Sequence, residues 1–388
     1  MELVFQSKKN ILSQSIFQVE PQALQYNRTE TFNLPLFKRL GSELGLLGLT
    51  APCEYGGSSM DATAVALVHE EISYSDPAFC LSYLAHSVLF VNNLSVNGSN
   101  KQQSMFLPAV CDGDKVAGMC MSESGAGTDV LGMNTRATFD REKRAWILNG
   151  NKMWITNGTI TGKETGDIYL VYAKTGDDRS DITQFVVEKG MSGFYLGQKI
   201  EDKCGMRASP TAELVFENVA IPQDTHVVGK VGSATICMMR NLEIERVALA
   251  AMALGIARRC IDEMIKYSKE RRAFGKATIE FGQIQKNISE SYAEYMAGKC
   301  FVYSVANGLN LESYGNGLDA DGVKLYTAQM GKNVADRAIQ VMGGYGYCGE
   351  YGVERLWRDS KLLEIGGGTN ESHHKNMVRD LKRQGKLM

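Results

Sequence analysis

The chain has 388 residues, 44% of them hydrophobic, and its 42 basic and 44 acidic residues give a formal charge of -2. That length exceeds what a single growing core fills efficiently, so two or three domains are expected. Neither sign of charge gathers into a block, which argues against nucleic acid as a partner. The nine cysteines stand singly without a C-x-x-C pair, which argues against a zinc site or a disulfide framework and for a reducing compartment.

The opening MELVFQSKKNILSQ lacks an apolar signal core, and no uninterrupted apolar run reaches the roughly 18 to 20 residues of a membrane helix. A soluble cytoplasmic protein without a targeting segment or membrane span is the expectation. From Pro35 to Ser104 apolar residues recur at helical spacing, as in LFKRLGSELGLLGL and AVALVHEEIS, broken by the turn signal CEYGGSS. Residues 1–115 therefore read as an N-terminal all-α domain. From about Val116 the pattern shortens to strand-like runs (TRATFD, AWILNG, DIYLVYAK, ITQFVVEK, AELVFENVAI) separated by turns, so 116–225 reads as a middle β domain. After Pro222 long helical stretches return, with later ones beginning near Phe281 and Gly322, and 226–388 reads as a C-terminal α domain whose helix lengths suit an antiparallel bundle. The order lacks the βαβ alternation of a Rossmann domain; the class is α+β.

Four segments could carry chemistry, and each has an ordinary alternative. MCMSESGAGTDV (119–130) packs Ser, Gly and Thr around a tight turn, where backbone N–H groups could approach a phosphate or flavin, or where the chain simply reverses. NGNKMWITNG (149–158) puts Trp154 and Thr156 on one side of a strand, which fits a core tryptophan beside a surface threonine equally well. In KERRAFGK, Arg271 and Phe274 have helical i, i+3 spacing with Gly275 as a helix stop, a pattern that a solvated arginine and a packed phenylalanine also satisfy. QVMGGYGY (340–347) is a glycine-rich turn between helices, open to a ligand or a plain reversal. EIGGGTNE (364–371) lacks the spacing and lysine of a P-loop.

Together, in this order and at these distances, MSESGAGTDV, NGNKMWITNG, ERRAFGK, QVMGGYGY and RDSKLLEIGGGTNE resemble the flavin-dependent acyl-CoA dehydrogenase family. LFKRLGSELGLLGLTAPCEYGG and CGMRASPTAELVFENVAIP extend the resemblance over essentially the whole chain. It implies an N-terminal helical domain, a middle β domain, a C-terminal four-helix bundle, and FAD held between domains and a neighbouring subunit of a homotetramer, a dimer of dimers. Carried over by motif position, Met121, Ser122, Gly127 and Thr128 would line the flavin and the start of the acyl-CoA site. Trp154, Ile155 and Thr156 would form the flavin wall. Arg271, Phe274, Gln340, Gly343 and Gly344 would hold the pyrophosphate and adenosine end, partly of the partner's FAD, with Thr369 and Glu371 closing the site; Thr128, Glu243, Arg246, Gly367 and Gly368 would meet substrate. Gly282 departs from the family's F-Q-x-I-Q pattern, with Gln283 next to it; Leu84 and Ile236 also differ from the isovaleryl branch.

The implied reaction removes a proton α to a thioester carbonyl and sends the β hydrogen to flavin, so a carboxylate base is needed. Most of the family takes it from a Y-E-G-T sequence, which here reads Gly366-Gly367-Gly368-Thr369. Two acids on the segment MMRNLEIERVALAAM could replace it. Glu245 has Leu242, Ala248, Leu249 and Met252 at helical spacings, which predicts a buried acid with a raised pKa and no evident cationic partner, whereas Glu243, with Arg240 and Arg246 three residues to either side, predicts a paired, solvated one. The isovaleryl branch resembles this chain in combining an L-D-L-E-R segment with G-A-G-T. Glu245 as base, a short branched acyl-CoA as substrate and an electron-transfer flavoprotein as acceptor are the implied set. An acyl-CoA oxidase or flavin monooxygenase on the same fold, and a non-catalytic FAD-binding scaffold, are the alternatives.

Overall fold

The computed structural model describes Val19 and residues 22–384, and its helix starts follow from local capping. After α1 (22–29), α2 (Leu34–Ser42) begins at Asn33, whose side chain accepts from the Leu36 N–H. Asp61 and Asp76 do the same for α3 (Ala62–Ser75) and α4 (Pro77–Leu84). The chain runs from α4 through a π-helical segment, Ala85–Asn92, into α5 (Asn93–Asn97); α6 (Asn100–Asp112) starts on a Ser99/Gln102 capping box. The continuous stretch Pro77–Asn97 is long and apolar enough to cross a bilayer, but 78% of its most apolar window is buried in the fold. Polar residues interrupt its apolar run, and His86 among them is satisfied internally: its Nε2 lies 2.9 Å from the Val110 carbonyl and its Nδ1 accepts from the Ala117 N–H.

Eight strands follow: β1 (Ala117–Cys120), β2 (Arg136–Asp140), β3 (Ala145–Thr156), β4 (Ile168–Lys174), β5 (Ile182–Glu188), β6 (Phe194–Lys199), β7 (Thr211–Pro222) and β8 (Val227–Val228). They form one sheet in the order β6-β7-β3-β2-β4-β5-β8, with β1 pairing parallel to β4. Between β7 and β8 lies the single turn α7 (Gln223–His226).

α8 (Ala234–Glu270) is the axis of the molecule. A two-stranded hairpin, β9 (Arg272–Ala273) and β10 (Lys276–Ala277), leads to α9 (Gly282–Gly308), α10 (Gly317–Met342), α11 (Gly344–Tyr347), α12 (Val353–Leu363) and α13 (Asn370–Gln384). Helix α8 packs against α3 on one side and α9 and α10 on the other, so helices from both ends of the chain share one apolar core. Gly255 permits the closest approach, because a Cβ there would strike the backbone of Glu70 and Tyr74 on α3. The α, β, α order expected from periodicity is the one observed, although α10 starts at Gly317 rather than near Gly322.

Candidate active site

Glu245 lies in the first third of α8, 8% exposed, with Oε2 buried and without a hydrogen-bond partner among the described residues. Burial lifts its carboxyl to about 7, against the opposing pull of Arg246 and Lys324. These two cations correct the expectation of an acid without cationic neighbours.

The Gly366–Gly368 loop, between α12 and α13, faces this carboxyl. Gly367 (φ 66°) and Gly368 (φ 102°) are consecutive left-handed residues, a conformation that glycine tolerates and other residues resist. A Cβ built on Gly367 would overlap Cδ1 of Leu249 and stand 3.5 Å from Oε1 of Glu245. Leu249 thus fills the space a side chain at 367 would enter, and the carboxyl of Glu245 lies beside it. Arg246 Nε donates toward the Gly367 carbonyl at 3.5 Å, and Lys324 Nζ, wholly buried on α10, donates to the Gly368 carbonyl at 2.6 Å. Asp321, one turn before Lys324, accepts from Arg246 at 3.0 Å and lies 2.5 Å from His373 Nδ1. Burial brings the Lys324 ammonium down to about 8.

Glu243 is not the solvated acid its neighbours suggested. It is 1% exposed and its oxygens accept the N–H groups of Gly315 and Asn316 at 3.3 and 3.1 Å, where the loop before α10 folds over it. Both of its oxygens are thereby occupied by backbone.

The two glycine- and tryptophan-containing motifs of the β domain come together. Met153 N–H donates to the Ser122 carbonyl at 2.9 Å, and Lys152 Nζ donates to the Met121 carbonyl and to Glu123, both at 2.9 Å. Glu123 also accepts the N–H groups of Asn134 and Thr135, so a buried ion pair braces the turn that carries Ser122, Gly127 and Thr128. Met121 packs against the cluster that holds Met238 of α8, as does Leu242, about one turn before Glu245. Trp154 departs from the strand reading: a register shift between Lys152 and Ile155 breaks alternation, Trp154 takes φ 59° and is 53% exposed, and Lys152 and Ile155 turn inward. Thr156 is half-buried.

The arginine motif is likewise not helical. Helix α8 ends at Glu270, Arg271 is its cap, and Phe274 sits at the tip of the β9–β10 hairpin with φ 51° and 97% exposure. Arg271 lies over the ring of Tyr345, in α11, which brings it to Gly343 and Gly344; Gln340 is exposed on the last turn of α10. Twenty-six residues at about 1.5 Å each put Arg271 roughly 39 Å from Glu245 along the helix. One chain therefore holds two separate groups: Glu245, Arg246, Gly367, Gly368 and Thr369 at one, Arg271, Phe274, Gln340, Gly343 and Gly344 at the other. A cleft of about 520 Å³ adjoins the first, lined by Lys332, Lys361, Glu364, Thr369, Glu371 and His374 among others.

Three acyl-CoA dehydrogenase domain models match the sequence: the N-terminal domain over residues 17–114, the middle domain over 118–219 and the C-terminal domain over 235–382. The chain is 38% identical to the mitochondrial isovaleryl-CoA dehydrogenase of Solanum tuberosum, covering 98% of this chain and 92% of that protein. It belongs to the acyl-CoA dehydrogenase family. Its fold superposes on butyryl-CoA dehydrogenase from Megasphaera elsdenii with a TM-score of 0.91 at 31% identity, covering 97% of this chain and 98% of that one. An acyl-CoA dehydrogenase complexed with FAD from Bacillus anthracis aligns with a TM-score of 0.90 at 28% identity, covering 98% of this chain and 67% of that one. The protein is accordingly an FAD-dependent oxidoreductase with the family's helical, β and four-helix-bundle parts.

The residues present fit the cofactor. Gly125, Gly127, Gly343 and Gly344 leave open ledges on which a Cβ would meet nothing, and Trp154 and Phe274 hold aromatic faces outward from positive-φ backbone. Phe274 meets Phe281 in a T-shaped pair at 6.2 Å and is otherwise open, and both exposed rings can serve as stacking surfaces.

Sequence reasoning missed Lys324, Asp321, His373 and the Glu123–Lys152 pair. For Lys324 a signal existed: Ala320, Thr327 and Ala328 stand at i−4, i+3 and i+4, the kind of stripe that marked Glu245.

Proposed function

We propose that this acyl-CoA dehydrogenase oxidises a short, branched acyl-CoA, isovaleryl-CoA first among candidates, with Glu245 as the base. The observation carrying this reading is that a Cβ on Gly367, besides overlapping Leu249, would stand 3.5 Å from the Glu245 carboxyl, so the two positions adjoin one site. A carboxylate delivered from α8 then faces the same region as one delivered from the loop. Lifted to about 7, it can be ionised at neutral pH while remaining a stronger base than a solvated glutamate. FAD, when bound, supplies the acceptor for the β hydrogen.

The chain's own residues do the rest. Glu245 takes the α proton onto a carboxylate oxygen; the Gly367 N–H, kept although the side chain is gone, donates to the thioester oxygen and acidifies the α carbon. Loss of tyrosine and glutamate side chains at Gly366 and Gly367 leaves room for a branch, and buried Leu84 and exposed Ile236 make the acyl pocket and its approach this chain's own. Met121, Ser122, Gly127, Thr128, Trp154, Ile155 and Thr156 would hold the flavin, with Thr369 and Glu371 closing the site. Arg271, Phe274, Gln340, Gly343 and Gly344 would serve the FAD of a second subunit, a division supported by the roughly 39 Å of helix between the two groups. Exposed Tyr292, Met296 and Phe301 on α9 support a further subunit contact and hence a homotetramer. An electron-transfer flavoprotein is the proposed acceptor.

Anaerobic titration of the holoprotein with an acyl-CoA panel tests this directly. Isovaleryl-CoA should bleach the flavin faster than butyryl- or octanoyl-CoA, and Glu245→Gln should bind FAD but lose at least about 10²-fold in reduction rate. Near-normal reduction in that variant would overturn the base assignment.

A further inference from the structure

We propose that Lys324 is a positioning residue for the reaction: from α10 it fixes the glycine loop through the Gly368 carbonyl and sets the charge environment in which Glu245 changes protonation. The proposal rests on Glu245 being the base.

A lysine wholly buried among Ala320, Val323, Thr327 and Ala328 is costly unless its charge is met. Here the ammonium donates to the Gly368 carbonyl at 2.6 Å. That contact lies where the loop needs an outside hold, because two successive glycines at φ 66° and 102° permit this path without enforcing it. Arg246 reaches toward the preceding carbonyl, of Gly367, and is itself tied by Asp321 at 3.0 Å. Two cations from different helices thus grip consecutive peptide units of the segment that carries the Gly367 N–H. A donor aimed at a developing oxyanion works only if held still, so loosening this grip should act on turnover more than on substrate binding.

The charges around Lys324 come from every neighbouring element: Glu245 and Arg246 from α8, Asp321 from α10 itself, Glu364 from the end of α12 and His373 from α13. Glu364 is already paired with Lys332 and Lys361, and Asp321 with Arg246 and His373. Glu245 carries no such ion pair, with Oε2 unpartnered, and so feels the ammonium as an uncommitted positive charge that favours the carboxylate. Removing that charge raises the pH at which the base becomes available.

The test is Lys324→Met in the FAD-loaded enzyme, with kcat and KM for isovaleryl-CoA followed across pH. Expected are a fall of about tenfold or more in kcat with a smaller change in KM, and an upward shift of about one unit in the acid limb. A merely structural lysine would leave that limb where it is, and an unmoved limb overturns the charge role. The loop role is read by hydrogen exchange of residues 365–369 at one pH in the FAD-loaded wild type, Lys324→Met and the donor-keeping Lys324→Arg. Exchange should rise in Lys324→Met and recover in part in Lys324→Arg; wild-type exchange in a folded, FAD-loaded Lys324→Met, or an equal rise in both variants, overturns the clamp. Should Glu245→Gln retain turnover, the base reading falls, while the loop exchange still decides the clamp.

Discussion

Gly367→Ala is the sharpest probe of how the glycine loop and α8 fit together. At φ 66° a residue with a Cβ pays about 1–2 kcal/mol for the left-handed backbone. The new methyl also overlaps Cδ1 of Leu249, which is 3% exposed and cannot swing into solvent; overpacking of this kind costs about 1–3 kcal/mol. The variant should therefore lose about 2–5 kcal/mol. Leu249→Ala alone should lose a similar amount by leaving a cavity, about 2–5 kcal/mol. In the double variant the overlap is gone and, of the Gly367→Ala cost, only the backbone part remains beside that of Leu249→Ala, so the two changes should couple favourably by about 1–3 kcal/mol. Thermal unfolding of all four holoproteins, at one protein and one FAD concentration, measures this. Strict additivity, or a Gly367→Ala protein as stable as the wild type, would refute the packing described between loop and helix.

Two further outcomes follow from buried charges. The kcat/KM for isovaleryl-CoA should climb with pH through about 7 as Glu245 ionises. Because that value is raised above the ordinary 4.5, the carboxyl destabilises the fold once ionised: the cost is absent below 4.5 and complete above about 7. At about 1.4 kcal/mol per unit, Glu245→Gln should be more stable than wild type by up to about 3 kcal/mol at pH 8, as read by denaturant unfolding, and should show no gain at pH 4. Lys152→Met strands Glu123 without its cation inside the β domain and should cost about 3–5 kcal/mol in the same assay; adding Glu123→Gln should restore part of it.

The architecture was legible because periodicity carries it: the switch from helical to alternating patterns near Val116 and back after Pro222 brackets the sheet except for the two-residue β8, too short to show a period. Glu245 was legible for the same reason, as an acid on an apolar stripe. What escaped were features that depend on contacts distant in sequence or on irregular backbone. Glu243 looked solvated from its local arginines, but the Gly315–Asn316 loop, some seventy residues on, covers it. Trp154 is set by a bulge against β7, and Phe274 by a hairpin closed after the helix had already stopped at Glu270. Neither has a signature in helical or alternating spacing. Lys152 illustrates the opposite trap, a lysine in a strand that reads as surface and is buried because the bulge turns it inward toward Glu123.

Leu249 and a side chain at position 367 exclude one another, and that has a bearing on how such a site could change over generations. A carboxylate restored at 367 would meet Leu249 and stand against the carboxyl of Glu245, where two like charges do not ionise together. Holding both carboxylates through a transition therefore needs space beside residue 249 and one of the two acids protonated. With Leu249 in place the space is lacking, so residue 249 must be trimmed before 367 is filled. The order of substitutions, and not only their sum, is constrained by the packing of one leucine.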